Sequence, residues 1–144
     1  MPLPPVLTQQ PDELIEVHCF DLTPASWEAL FAWLPGRIVS ACNAAGTLDP
    51  SAVNLADFLH NKQVYTIDVT MPSGNILVFA LLETDHLSID IDKAEINTEA
   101  SFATLLADLA FLAELLGCTR YVVHPEFKPE AVFVVNGVVE DAPS

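Results

Sequence analysis

The sequence predicts an α+β fold, a mainly antiparallel sheet with a central three-stranded meander and one long helix packed on one face. Three observations carry this. Residues 63–92 hold three β-type runs separated by turn signals, residues 98–116 hold a strong helical pattern, and two proline-opened helical stretches precede both. At 144 residues the chain is expected to form a single domain, 1–144, with 1–12 (Pro-rich) as a loose N-terminal arm.

The elements follow in order. "ELIEVHCF" (13–20) reads as a strand, and Thr23 then caps a helix opened by Pro24, "PASWEALFAWL", which Pro35-Gly36 stops. "RIVSAC" (37–42) reads as a strand, and Asp49-Pro50 repeats the cap-and-proline signal before a second short helix, "SAVNLADFLHN". "QVYTIDVTM" (63–71), "NILVFALLE" (75–83) and "HLSIDID" (86–92) form the meander, turned at "PSG" and Thr84-Asp85. The long helix, about 98–116, is capped by Thr98 or Asn97 and closed by Gly117. "CTRYVVH" and "AVFVV" add strands, and Asn136-Gly137 is a hairpin-type turn.

Turn lengths set an expected register. A two-residue turn pairs Glu83 with His86, hence Phe79 with Asp90 and Leu77 with Asp92; a four-residue loop pairs Thr70 with Asn75, hence Asp68 with Leu77. On that register Tyr65, Ile67, Val69, Ile76, Val78, Ala80, Leu82, Leu87, Ile89 and Ile91 face the core. Leu77, Phe79 and Leu81 form an apolar centre on the opposite face, rimmed by Asp68, Asp90 and Asp92. An apolar centre inside a polar rim is the anatomy of a protein-binding patch; the competing expectation is a short helix, 24–34, lying over Phe79. On the long helix Phe102, Leu105, Leu106, Leu109, Ala113 and Leu116 make the inward stripe, leaving Thr104, Asp108, Phe111 and Leu115 on the far side, with Phe111 and Leu115 as a dimer seam or under a terminal segment such as "VNGVVED".

Charge narrows the function. Twenty acidic residues face five basic ones, a net charge of −15, while hydrophobic residues make up 51% and mean hydropathy is +0.39. A small domain usually carries a net charge of roughly 2–8 in magnitude. So few basic residues speak against nucleic acid or an anionic membrane as partner. The N-terminus lacks the basic and apolar regions of a signal peptide, and the expectation is a cytoplasmic protein.

No reaction is named by any motif. Cys19, Cys42 and Cys118 read as buried free thiols, and Cys19 and His18 point to opposite faces of a strand. His18, His60, His86 and His124 are scattered without metal spacing, with His86 expected to pair with Glu83. Asp68 and Asp92 would stand two strands apart, about 9–10 Å, too far to share an ion. Neither a metal nor another cofactor is expected.

In size, acidity, α+β layout and the run "CTRYVVHPEFKPEAVFVVNG", the chain resembles immunity proteins of bacterial toxin systems. The resemblance implies an acidic, non-enzymatic binding module that neutralises a basic protein, its cognate toxin. Two other readings stay open: a homodimeric adaptor or chaperone-like protein built on Phe111 and Leu115, and a small ligand-binding protein or enzyme with a pocket near His124, Glu126 or Glu130.

Overall fold

The computed structural model describes residues 3–9 and 13–140. Nine strands form one sheet in the order β3-β2-β4-β5-β6-β1-β7-β8-β9. They are β1 (Leu14–Cys19), β2 (Ile38–Asn43), β3 (Gly46–Leu48), β4 (Tyr65–Thr70), β5 (Ile76–Glu83), β6 (His86–Asp92), β7 (Tyr121–Pro125), β8 (Val134–Val135) and β9 (Val138–Val139). Every neighbouring pair is antiparallel. β6 and β7 flank β1 and so run parallel to each other, which a tight turn cannot connect. The helix α3 (Glu99–Leu116) makes that crossing.

Both longer helices start on the same device. Thr23 accepts the Ser26 N–H while Ser26 accepts the Thr23 N–H, opening α1 (Pro24–Trp33), and Thr98 and Ser101 repeat this at α3. At the far end of α3, Gly117 adopts φ 64°, and the Cys118 N–H closes on the Ala113 carbonyl at 2.8 Å. The expected second helix is split. Asp49 caps only a 3₁₀ turn, Pro50–Ala52, and Asn54 opens α2 (Leu55–His60) by accepting the Asp57 N–H. Strand β3 went unread because three residues give no period.

The helices share one face of the sheet. Trp27, Leu30, Phe58, Phe102, Leu105, Leu109 and Leu112 join Ile15, Val17, Ile67, Phe79, Leu81, Leu87, Ile89 and Val123 in one continuous core. The Trp27 Nε1–H donates to the Thr84 carbonyl at 2.5 Å, tying α1 to the β5–β6 turn. Burial alternates residue by residue along β1, β4, β5 and β6, as it must when only one side is covered.

The observed register corrects the expected one by a residue on both sides of β5. Thr70 pairs with Ile76, because Asn75 belongs to the loop and its carbonyl accepts the Met71 N–H at 2.7 Å. Glu83 does pair with His86, but a bulge between Ala80 and Glu83 then brings Ala80 opposite Ser88, Phe79 opposite Ile89 and Val78 opposite Asp90. A one-residue slip exchanges faces. Leu77, Phe79 and Leu81 are therefore core residues, and Ile76, Val78, Ala80 and Leu82 point outward.

Two further expectations change. On α3 the buried positions include Asp108 and Leu112, and Ser73 donates to Asp108 Oδ2 at 2.6 Å, giving the buried carboxylate its partner. Phe111 is half-buried, its ring 5.4 Å from that of Trp33. Of the expected loose arm, residues 3–9 pack: Pro5–Thr8 makes a 3₁₀ turn that buries Leu7, and the buried Lys93 donates to the Gln9 carbonyl at 2.8 Å. Residues 1, 2 and 10–12 of that arm, and Asp141 of the terminal segment, lie outside the described residues.

The register has a direct stability test. Phe79→Ala should cost about 3–5 kcal/mol as a buried aromatic truncation, and Val78→Ala about 1 kcal/mol or less as a change on the outward face. Chemical denaturation of both variants reads the difference; equal costs would contradict the assignment of faces.

Candidate functional site

Opposite the helices, the outward face gathers charge around an apolar middle. Pairings place Asp68, Val78, Asp90, Glu16 and His124 side by side on β4, β5, β6, β1 and β7. The next row holds Thr66, Ala80, Ser88, His18 and Val122. Ile76 and Leu82 on β5 are 45% and 58% exposed, large apolar side chains left in water. Beyond the end of β7, Phe127 is 85% exposed.

The expected site residues thus divide. Asp68 and Asp90 lie on the outward face, on either side of Val78, and Ser40 Oγ donates to Asp68 Oδ2 at 2.8 Å. Asp92, exposed at the end of β6, accepts the Ala94 N–H at 2.9 Å and caps the 3₁₀ turn Lys93–Glu95. Leu77, Phe79 and Leu81 are on the other side of the sheet. Phe111 and Leu115, expected on the far side of the helix, are half-buried and pack against the core.

Strand pairing also assembles what the sequence scatters. His18, His86 and His124 meet on the outward face of β1, β6 and β7. His18 stacks on His86 at 4.9 Å and on His124 at 4.8 Å between ring centroids. Phe20 extends the stack, 5.3 Å from His86, and Arg120 lies over the Phe20 ring at 4.5 Å. The His86 ring turns to His18, whose Nδ1 is 2.7 Å from His86 Nε2. His124 is 5% exposed, and its Nδ1 donates to the Pro125 carbonyl at 2.7 Å. Glu16 reaches toward the same place, with Oε1 3.9 Å from His18 Nε2. The missed signal was the even spacing of Glu16, His18 and Phe20 on one strand; His86 and His124 depend on pairings no single segment reveals.

The electrostatics fit this crowding. Burial, reinforced by His124 and then His86, lowers the His18 pKa to about 4, so its imidazole is neutral at pH 7. Burial raises Glu16, where His124 acts downward while Asp90 and Glu126 push further up. Asp90 is likewise raised, by burial and then by Glu126. No lysine or arginine is among the groups acting on these carboxylates.

Elsewhere, Cys19 is buried as expected, whereas Cys42 is exposed and Cys118 half-buried. A cavity of about 550 Å³ opens between the end of α1 and the segment before α2, lined by Phe31, Leu34, Ile38, Val53, Asp49 and Ser51 among others. It lies apart from His124, Glu126 and Glu130, and its Asp49 and Ser51 are already hydrogen-bonded to each other at 2.7 Å.

Neither protein-family models nor curated proteins match this chain. Among solved structures, it is similar in fold to a chain from the crystal structure of the toxic C-terminal tip of CdiA from Pseudomonas aeruginosa in complex with immune protein. The superposition has a TM-score of 0.57 at 11% identity and covers 89% of this chain and 97% of that one. At that identity the likeness establishes the fold. No helix among the described residues is long and apolar enough to cross a membrane.

The histidine stack predicts a pH dependence. The unfolded His18 titrates at roughly 6.5 and the folded one at about 4, so between these values the unfolded chain binds more protons and stability falls as pH is lowered. The raised Glu16 and Asp90 work oppositely, taking up protons earlier in the folded state. In chelator-treated protein the urea midpoint should therefore drop from pH 7 to 5.5, and His18→Asn should flatten that drop. An identical pH profile for the variant would contradict the neutral, buried reading of His18.

Proposed function

We propose that this protein is an immunity-type inhibitor that binds a basic toxic protein through the outward face of its sheet and blocks it without chemistry of its own. The observation that carries the reading is one open sheet face on a chain of net charge −15, with Val78 between Asp68 on one side and Asp90 and Glu16 on the other, and the exposed Ile76 and Leu82 further along the same strand. Apolar side chains supply the desolvated centre of an interface, and surrounding carboxylates accelerate encounter with a basic partner and select against acidic ones.

The fold likeness supports the same reading, since that neighbour was crystallised as a toxin with its immune protein. Of the two roles, charge supports the inhibitor's. A toxin directed at nucleic acid needs a basic footprint, whereas its inhibitor needs carboxylates where phosphates would lie. The cytoplasm, where a bacterial cell would need such protection, is the proposed location.

Affinity capture from source-cell lysate should retain one basic protein at low salt, and co-expression of the two should relieve that protein's toxicity. With the partner in hand, Asp68→Lys and Asp90→Lys should each slow association at low salt, by about tenfold, and reduce its salt dependence. Leu82→Ala should chiefly speed dissociation, by on the order of 2 kcal/mol if it is an anchor. Unchanged kinetics in all three would remove the outward face as the binding surface; a captured partner that is harmless, or acidic, would remove the inhibitor reading.

A further inference from the structure

Partner binding as proposed makes no use of His18 and His124, which meet beside the rim carboxylate of Glu16. Each offers one ligand atom, and the three atoms lie within 4.8 Å of one another. In a tetrahedral site with bonds of about 2.1 Å, neighbouring ligand atoms stand about 3.4 Å apart. The 3.9 Å between Glu16 Oε1 and His18 Nε2 is already close to that. Glu16 and His18 keep 26% and 18% of their side-chain surface exposed, and no separation in the group exceeds 4.8 Å.

The second nitrogen of each ring is committed in the manner of a metal ligand. The Pro125 carbonyl can only accept, so His124 carries its proton on Nδ1 and presents the Nε2 lone pair. His18 Nδ1 lies 2.7 Å from His86 Nε2; with His18 as donor, its own Nε2 is free in the same way. Such outer hydrogen bonds fix the tautomer and the ring orientation of ligating histidines. Asp90, paired with Glu16 across β6 and β1, adds a further carboxylate beside the group.

We propose that Glu16, His18 and His124 bind one divalent transition-metal ion per chain, of the zinc class, with a fourth position open to solvent. Two imidazoles and one carboxylate suit zinc and its neighbours, whereas magnesium and calcium take all-oxygen sets. The ion would pin β1 to β7 and, through His86, hold β6 to the same point. This site goes beyond the inhibitor reading and needs no partner protein.

The test is zinc titration of the purified full chain, stripped with chelator, at pH 7.5, by calorimetry and by NMR of the histidine ring protons. The expected result is a single site tighter than about 10 μM, a favourable free energy of about 6.8 kcal/mol, with the ring signals of His18 and His124 shifting and those of His60, exposed on α2, unmoved. Glu16→Gln and His18→Asn should each weaken binding at least tenfold, while His60→Ala should leave it unchanged. Weaker binding by the parent chain, or variants that stay within tenfold of it, would overturn the proposal. The ring-proton shifts of the parent chain decide the matter even if a variant misfolds: zinc that leaves the His18 and His124 signals in place also overturns it.

Discussion

The confinement of all three helices to one face of a nine-stranded sheet is the constraint on which the rest depends. It commits each central strand to alternate burial, with Ile15, Ile67, Phe79, Ile89 and Val123 inward and their neighbours outward. Outward positions are then free of packing demands, and this sequence fills them with carboxylates, histidines and a few apolar side chains. Core and candidate binding face are two sides of the same strands. A residue cannot change register without exchanging one role for the other.

Charge distribution follows from this arrangement. A net charge of −15 repels itself, and part of that charge is concentrated where Glu16, Asp90 and Glu126 approach the histidine stack. Desolvation raises the carboxylates and holds His18 neutral at pH 7, so His18 supplies no compensating positive charge. A basic partner over β4–β6 and a metal ion at β1–β7 would each relieve that field, at different ends of the same face. Asp90 and Glu16, paired across β6 and β1, stand between the two.

How much was legible in the sequence differs by kind of feature. Caps and stops were local and readable: Thr23 and Pro24, Thr98, Gly117, and the Asn136-Gly137 turn, whose two residues have φ 50° and 82°. Register was not. It turned on whether Asn75 belonged to strand or loop and on one bulge in β5, and alternation alone is blind to a one-residue slip in a strand apolar on both faces. The patch was therefore anticipated in form, an apolar centre flanked by Asp68 and Asp90, with Ile76, Val78 and Leu82 in place of Leu77, Phe79 and Leu81. The Glu16–His18–His124 group was illegible for another reason. Its members come from strands more than 100 residues apart in sequence, joined only because β1 inserts between β6 and β7.

Under the proposed function the outward face, rather than the helical one, meets the partner. Methyl-resolved NMR of the protein titrated with its captured basic partner tests it directly. The account predicts that the methyl signals of Ile76, Val78 and Leu82 shift or broaden while those of Leu30, Leu105 and Leu112 stay in place. Perturbations confined to α1 and α3, with β5 untouched, would contradict it.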